Sequence, residues 1–583
     1  MTGPRGRRRL VDVALGAVPP DLLVTGADVV NVYTGEVIRW DVAVADGRVA
    51  AVGPDLAGLA SAETERIDAR GKVLVPGFFD AHTHLDTFVA LPELMREAIP
   101  RGLTAVVTEM AQLCSALGEG GARWFLDTLA AQPIHAYATA PVITYLTAEG
   151  KRGEPLLDEP AMMALLEDPR VLGLGEVYWH RLLPEPDRLL PLIERARALG
   201  KTVEGHGAGA RGPRLVACAG AGLDSCHEPI TASEALERLR LGMRVQIREG
   251  SVRRDLEAVL ALRHTGASLR RVTLASDGIW PRDLLERGYM DGIVQRAIDL
   301  GLPPVTAYQM ASLHGAEHFG LDRELGGIAP GRWADVLVLP DLRTVRPELV
   351  LARGRVVARD GRCEVPCPVV PLPATLYDAP RPGPLDPASL RLPAPGTQAR
   401  VRVIRIAGDI VTAEAAATLP IRDGAVQAEP ASDLLLAVVA DRRGGGARGF
   451  GVVQGFGLRE GAVASTLSFE TADLVLVGAS HEALAAAGRR AVELRGGFVV
   501  VDARGAVLAE LALPIGGVAA AAPVPEVARV LGAVEGALRE LCCGLAHPLL
   551  TLQTLTFTAI PALRLTTRGL LDVKSRQHVP ALL

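Results

Sequence analysis

The feature that most constrains this chain is a regular alternation of short apolar runs with helical stretches between residues 74 and 320. Such alternation is typical of βαβ units and therefore predicts a parallel sheet. Eight parallel strands in about 250 residues match a closed (β/α)8 barrel, although periodicity alone leaves a doubly wound open sheet as the rival. The eight runs, in chain order, are LVPGFFDAHTH, LTAVVTE, PIHAYATAP, VLGLGEV, TVEGHG, AGLDSCH, MRVQIREG and VTLASD.

Both flanks of the predicted barrel return to a β pattern. Before it, apolar and polar residues alternate around the turn signals Thr34-Gly35 and Asp46-Gly47. After it, LGGIAPGRWADVLVLPD and LVLARGRVVARDG alternate in the same way. We therefore expect residues 1–73 and 321–365 to build one small β-sandwich domain around a barrel over residues 74–320.

The C-terminal third of the chain forms a further unit. Ten prolines between residues 366 and 395 predict a stiff linker over 366–399. Strand patterns and helical stretches near 481–494 and 525–541 follow, so residues 400–583 are predicted to form an α+β domain.

Composition excludes several classes of protein. Net charge is −5 and no basic stripe is interleaved with aromatic residues, which argues against nucleic-acid binding. No run reaches the ~18 apolar residues that a membrane helix needs, so no membrane association is expected. The seven scattered cysteines do not resemble a disulfide framework, and we expect a cytoplasmic protein. An apolar content of 49% permits a homodimer.

The strongest local motif is His82-Thr83-His84, at the end of the first predicted barrel strand. Residues i and i+2 of a strand share a face, so both imidazoles can bind one cation. Polar ligand types also end other predicted strands, and all strand ends of a barrel meet at one cavity. These further candidates are Glu176, His206, His227 and Asp277, at the ends of strands four, five, six and eight.

Four histidines can hold two divalent ions if an anionic group bridges them. No lysine stands at the end of strand four, because Lys151 and Lys201 lie on either side of it, so Glu176 is the expected bridge. Bound metal lowers the pKa of water and so supplies hydroxide as the nucleophile. Asp277 is expected to pass the proton of this hydroxide to the leaving group.

A second carboxylate is needed to protonate a ring nitrogen of the substrate. Glu228, directly after His227, is the first candidate, and Glu249 after strand seven is the second. Both have an alternative interpretation as loop carboxylates in salt bridges, with Arg248 as an obvious partner.

Long segments of the chain resemble the bacterial adenine deaminases of the amidohydrolase superfamily. The HxH and GGIAPGRWAD segments mark the superfamily, whereas CHEPITASEALERLRLGMRVQIREGS and PLLTLQTLTFTAIPALRLTTRGLLDV are more specific. The resemblance implies hydrolysis of adenine to hypoxanthine and ammonia at a binuclear centre with manganese, or else iron or zinc. It also implies that the matching metal or catalytic residues are His82, His84, Glu176, His206, His227 and Asp277.

The chain departs from the family pattern near the predicted substrate site. Leu85-Asp86-Thr87-Phe88 stands where the family commonly has Ile-Glu-Ser-Ser, and Met110-Ala111-Gln112 replaces Pro-His-Glu. Phe469-Glu470-Thr471-Ala472-Asp473 replaces His-Asp-Ser-His-Asn, and Gly278 replaces the second of two paired Asp residues. These departures leave two other functions open. One is hydrolysis of another aminated heterocycle or a cyclic amide, and the other is non-catalytic binding of a metabolite.

Overall fold

The computed structural model describes residues 4–146, 157–376 and 380–583, so Lys151 and residues 377–379 of the predicted linker lie outside it. The chain opens with helix α1 (Pro4–Ala14) and a β meander. Gly35 and Asp46-Gly47 have positive φ angles at the predicted turns. The first five strands are β1 (Leu22–Asn31), β2 (Glu36–Ala45), β3 (Arg48–Gly53), β4 (Glu65–Asp68) and β5 (Val73–Pro76).

A barrel of eight parallel strands follows. Every residue of the second barrel strand is buried, as expected for a strand covered on both faces. Five strands form one hydrogen-bonded sheet and three form another. The short strand β7 (Phe88–Val89) lies between the first two barrel strands in the chain but is not part of the barrel. The eight barrel strands are β6 (Phe78–His84), β8 (Leu103–Glu109), β9 (His135–Pro141), β10 (Val171–Tyr178), β11 (Thr202–His206), β12 (Ser225–Cys226), β13 (Arg244–Arg248) and β14 (Val272–Ala275).

Backbone hydrogen bonds join the two sheets into a closed ring. Asp224 N donates to Val203 O (2.9 Å) beside β11 and β12, and Asp277 N donates to His82 O (3.0 Å) beside β14 and β6. The predicted barrel is therefore confirmed over the open-sheet rival. Its helices are α2 (Leu91–Ala98), α3 (Ala111–Ala131), α4 (Val142–Leu146), α5 (Glu159–Glu167), α6 (Trp179–Leu182), α7 (Pro186–Ala198), α8 (Pro213–Gly220), α9 (Ala232–Arg240), α10 (Leu256–Leu260), α11 (Pro281–Arg287), α12 (Met290–Asp299), α13 (Pro304–Met310) and α14 (Leu313–His318).

Strands from both flanks of the barrel share one nine-stranded sheet, in which β15 (Val336–Leu339), the first strand after the barrel, pairs with β5. The Pro-rich segment after this sheet runs along α3, where Trp124 Nε1 donates to Val370 O (3.1 Å). The four returning strands are β15 (Val336–Leu339), β16 (Leu349–Ala352), β17 (Arg355–Arg359) and β18 (Arg362–Cys363).

The C-terminal region is built on a second nine-stranded sheet, whose central strands β22, β24, β25 and β26 are fully buried. The two helices predicted there are present. The elements are β19 (Gln398–Ile406), β20 (Thr412–Arg422), β21 (Ala425–Val426), β22 (Leu434–Ala440), β23 (Arg448–Gln454), β24 (Ala462–Ser465), β25 (Leu474–Gly478), α15 (His481–Glu493), β26 (Gly497–Val501), β27 (Val507–Ala512), β28 (Ala519–Ala520), α16 (Val524–Glu540), α17 (Pro548–Thr554), β29 (Leu563–Thr566), β30 (Gly569–Asp572) and β31 (Gln577–Val579).

The C-terminal region also reaches the mouth of the barrel. Its strand β28 pairs in parallel with β7, and the Phe88 amide donates to Val518 O (2.8 Å). The Phe88 ring lies against Trp280 of the barrel (4.8 Å between ring centroids) and near Phe498 of the C-terminal sheet (6.2 Å). Among the described residues, no helix is both long and apolar enough to cross a membrane.

Candidate metal centre and adjoining cavity

The six residues predicted as metal ligands meet at one end of the barrel. His82 and His84 close β6, Glu176 lies near the end of β10, and His206 closes β11. His227 directly follows β12, and Asp277 lies two residues after β14. They form two groups whose potential ligand atoms lie within 4.8 Å of one another.

The first group contains His82, His84, Glu176 and Asp277. His82 Nε2 lies 3.3 Å from Asp277 Oδ1 and 3.7 Å from Glu176 Oε1. His84 Nε2 lies 3.6 Å and 3.7 Å from the same two oxygens. Two imidazole nitrogens and two carboxylate oxygens thus surround one point.

The second group contains Glu176, His206 and His227. His206 Nδ1 lies 3.5 Å from Glu176 Oε1, and His227 Nε2 lies 3.3 Å from it. The two imidazole nitrogens are 3.2 Å apart. Because the same oxygen of Glu176 faces both groups, this carboxylate is placed as a bridge between them.

The donor set fits a divalent cation. His82 Nε2 is buried and has no hydrogen-bond partner among the described residues, although two carboxylates face it. A buried polar atom without a partner is costly, and a bound cation removes that cost. Imidazole and carboxylate ligands suit zinc, iron and manganese alike.

Two of the carboxylates are held on strained backbone. Glu176 has φ 39° and Asp277 has φ 55°, in the left-handed region that non-glycine residues rarely occupy. Such conformations cost about 1–3 kcal/mol each and persist where the surrounding structure imposes them. The hydrogen bond from the Asp277 amide to His82 O is one such restraint. Strain at these two positions is typical of functional residues.

Electrostatics keeps both carboxylates ionised. Burial alone raises the pKa of Asp277, but the nearby imidazoles of His82 and His84 and the charge of Arg248 hold this pKa well below its usual range. Burial likewise opposes ionisation of Glu176, yet contacts with His206, His227 and His84 lower its pKa well below normal. Ionised oxygens are the form that binds metal.

Arg248 is a buried guanidinium that the sequence analysis considered only as a partner for other residues. Its Nη1 donates to Glu228 Oε1 and lies 3.5 Å from Asp277 Oδ2. Its Nη2 donates to Asp255 Oδ2 (2.8 Å). Burial raises the pKa of Glu228, but the charges of Arg248 and His206 and the contact with His227 together bring it well below its usual range. Arg248 therefore links three carboxylates at the edge of the centre.

The structure brings Glu228 to the centre but places Glu249 elsewhere. Glu228 Oε1 lies 3.3 Å from His227 Nε2. Glu249 accepts a hydrogen bond from Arg287 (3.2 Å) and pairs with Arg296 (3.0 Å), which matches its salt-bridge alternative. It is not among the described residues that line the adjoining cavity. Because successive residues of an extended segment face opposite sides, Arg248 points inward and Glu249 points outward.

A cavity of about 1050 Å³ adjoins the centre. Its walls carry His84, Glu176, His206, His227, Glu228 and Asp277, together with residues of the C-terminal region. Sequence reasoning had not predicted the aromatic part of the wall. Tyr178 lies against His206 (4.5 Å between centroids), and Phe557 lies 6.2 Å from His206 and 5.5 Å from Phe469. The only signal for Phe469 was its place in a segment that departs from the family.

The substituted residues near the site connect the barrel to the C-terminal region. Asp86 Oδ2 accepts from the amides of Gln112 (2.8 Å) and Leu113 (3.0 Å) at the start of α3. Gln112 in turn donates to Ser468 O (2.9 Å) and accepts from the Glu470 amide (3.1 Å). Of the other substituted positions, Ala111, Gly278 and Phe469 line the cavity, whereas Ala472 is fully buried.

Comparisons with known proteins agree with this arrangement. A model of the amidohydrolase family matches residues 193–357, and a model of the adenine deaminase C-terminal domain matches residues 409–577. The adenine deaminase of Moorella thermoacetica is 38% identical over 574 residues, covering 97% of this chain and 96% of that protein. The adenine deaminase of Paracoccus denitrificans is 37% identical over 576 residues, covering 97% and 96%.

Among solved structures, a β-aspartyl dipeptidase from Fervidobacterium islandicum AW-1 covers 59% of this chain and 98% of its own, with 18% identity and a TM-score of 0.44. The sequence relatives match along nearly the whole chain, including the barrel and the C-terminal region. The chain belongs to the adenine deaminase family of the amidohydrolases.

Proposed function

We propose that this chain converts adenine and water into hypoxanthine and ammonia. Its full-length relatives are adenine deaminases, and it carries the C-terminal domain of that family. The observation that carries the proposal is the convergence of six ligand residues on two adjacent points, with Glu176 Oε1 shared, beside an aromatic cavity. A planar heterocycle fits between such walls.

The proposed centre holds two divalent cations, with manganese as the expected metal. His82, His84 and Asp277 would hold one ion, His206 and His227 the other, and Glu176 both. When bound, such ions lower the pKa of water toward neutrality and so supply hydroxide as a nucleophile.

The chain's own carboxylates account for the proton transfers. Overall, the two protons of the attacking water move to a ring nitrogen and to the leaving amino group. Glu228, ionised beside Arg248, takes up the first proton and delivers it to the ring nitrogen next to the reacting carbon. Asp277, ionised beside His82 and His84, takes up the second and delivers it to the amino group as the carbon–nitrogen bond breaks. Each such transfer contributes about 10²–10⁴-fold to a rate.

An ammonia-release assay tests this function. Purified protein is loaded with manganese, its metal content is measured, and it is supplied with adenine, other aminopurines, aminopyrimidines and cyclic amides. We expect ammonia and hypoxanthine from adenine, and no turnover by Asp277→Asn. Absence of ammonia from the whole panel would refute the proposal, and ring opening without ammonia would favour cyclic amide hydrolysis. A homodimer and a cytoplasmic location remain predictions, which sedimentation velocity and cell fractionation test.

A further inference from the structure

Glu470 carries an unpartnered oxygen at the wall of the cavity. The residue lies in the turn between β24 and β25 and is 4% exposed. Its Oε2 accepts hydrogen bonds from the amide (3.0 Å) and the hydroxyl (2.9 Å) of Thr558. Its Oε1 is buried and has no hydrogen-bond partner within the described part of the chain. A buried carboxylate oxygen left in this state is costly unless a ligand occupies it.

The barrel fixes the backbone of Glu470 in place. Gln112 accepts a hydrogen bond from its amide, and the Ser115 hydroxyl donates to its carbonyl oxygen (2.7 Å). Its φ of 69° is in the left-handed region, which a glutamate adopts only at a cost. The main chain is thus held by α3 and Oε2 by Thr558, so Oε1 is the one oxygen of this cavity-lining carboxylate without a hydrogen-bond partner among the described residues.

The aromatic wall connects Glu470 with the metal centre. The ring of Phe557 lies 6.2 Å from the ring of His206 and 5.5 Å from that of Phe469, the residue next to Glu470. No hydrogen bond or ion pair joins Glu470 to a ligand residue within the described ranges. Glu470 and the metal centre therefore border the same cavity, with the ring of Phe557 between His206 and the segment that carries Glu470.

Volume alone does not select the substrate. The cavity, at about 1050 Å³, lies at the upper end of the ~300–1,000 Å³ range typical of sites for drug-sized ligands. A nucleoside would fit as readily as a free base, so discrimination must come from particular polar groups. A site built to hydrogen-bond a donor rejects analogues that lack it.

We propose that Glu470 is a specificity-determining residue, whose Oε1 accepts a hydrogen bond from a ring N–H on the substrate edge opposite the amino group. This inference rests on the proposed function. A free purine base carries such an N–H on its five-membered ring, whereas a nucleoside carries its sugar there. Glu470 therefore selects free bases over N-substituted ones.

The protonation state agrees with this role near neutral pH. Burial raises the pKa of Glu470 to about 7, against the lowering effects of Thr558, Arg181 and His206. The accepting, ionised form is therefore well populated at and above neutrality. Because Oε2 already accepts two hydrogen bonds, a proton taken up at lower pH resides on Oε1.

Kinetics with adenine and 9-methyladenine test the proposal. In wild type, kcat/KM is expected to favour adenine by roughly 10- to 100-fold, the value of one hydrogen bond to a charged group. Glu470→Ala should raise KM for adenine by that factor, leave 9-methyladenine unchanged and bring the ratio close to one. Glu470→Asp should restore part of the preference. The matched control is Ser115→Ala, which loosens the same turn but keeps the carboxylate, and it should retain the preference.

The proposal is overturned if Glu470→Ala keeps the wild-type ratio, or if Ser115→Ala abolishes it equally. Should Glu470→Ala fail to fold, Glu470→Gln replaces it. In this variant the amide oxygen accepts the hydrogen bonds from Thr558, so the NH2 group faces the N–H of the substrate. Two donors then face each other, and the preference for adenine should be lost as in Glu470→Ala. If wild type releases no ammonia from adenine, the proposed function fails on its own. Calorimetric affinities for hypoxanthine and 9-methylhypoxanthine then decide the role of Glu470, and an equal ratio in wild type and variant overturns it.

Discussion

Replacing Arg248 by methionine tests how the edge of the metal centre is stabilised. The substitution keeps most of the side-chain length but removes the charge that faces Glu228, Asp255 and Asp277. The Arg248 side chain is only 4% exposed, so these carboxylates are poorly solvated by bulk water once its charge is removed. Removing one partner from a buried ion pair costs about 3–5 kcal/mol, because the remaining charge stays buried and uncompensated.

The expected loss can be expressed as a melting temperature. For a domain of the barrel's size, 1 kcal/mol corresponds to about 2–4 °C, so Arg248→Met should lower Tm by roughly 6–20 °C. Differential scanning calorimetry of metal-loaded protein at neutral pH measures this shift. The gap to wild type should narrow on acidification, because the stranded carboxylates then take up protons.

Arg253→Met is the matched control for this experiment. Arg253 pairs with the other oxygen of Asp255 (3.1 Å), but its side chain is 34% exposed. Exposed pairs contribute about 0–1 kcal/mol, so its Tm should change by less than about 4 °C. An Arg248→Met shift no larger than that of Arg253→Met would refute the view that the guanidinium compensates three buried charges.

Three further predictions follow from the site and its surroundings. Glu228→Gln should lower kcat/KM for adenine by about 10²–10⁴-fold with metal content unchanged. Glu249→Gln should keep kcat/KM within a few-fold of wild type. Equal kcat/KM values for the two variants would contradict the assignment of proton transfer to Glu228. Gly175→Ala should cost about 1–3 kcal/mol and lower Tm, because its Cβ would overlap the buried carboxylate of Glu109, and an unchanged Tm would contradict this packing. Glu470 has a folded-state pKa of about 7 against an ordinary 4.5, so the free energy of unfolding of wild type should fall as the pH rises from 4.5 to 7, by about 3 kcal/mol at most. Glu470→Gln cannot ionise and should not show this fall. Tm profiles against pH that run parallel for wild type and variant would contradict the prediction.

The barrel and the convergence of the six candidate ligand residues were predictable because local patterns determine them. Each ligand ends an apolar strand, and the geometry of a closed parallel sheet then brings strand ends together whatever their separation in sequence. His82 and His84 are the clearest case, since the period of two residues alone places both on one face. The sequence favours Glu228 because it directly follows His227, but it does not show that Glu249 points away, since this depends on which residue at the end of β13 faces inward.

The aromatic wall was not predictable for a different reason. Glu470 and Phe557 reach the cavity from the C-terminal region, more than 190 residues after Asp277, and no periodic pattern indicates such a contact. The role of Arg248 was not predictable either, because the sequence does not distinguish a buried arginine from one on the surface. What the sequence did contain was the set of substituted positions, and Asp86, Gln112 and Glu470 are now seen to form one connected group.

The pairing of β28 with β7 has a consequence for the order in which the molecule is made. All six candidate ligand residues lie between residues 82 and 277 and are synthesised first, whereas the residues of the C-terminal region that line the cavity lie between 410 and 576. A chain that stops after the barrel therefore contains every candidate ligand but lacks the residues that enclose the cavity.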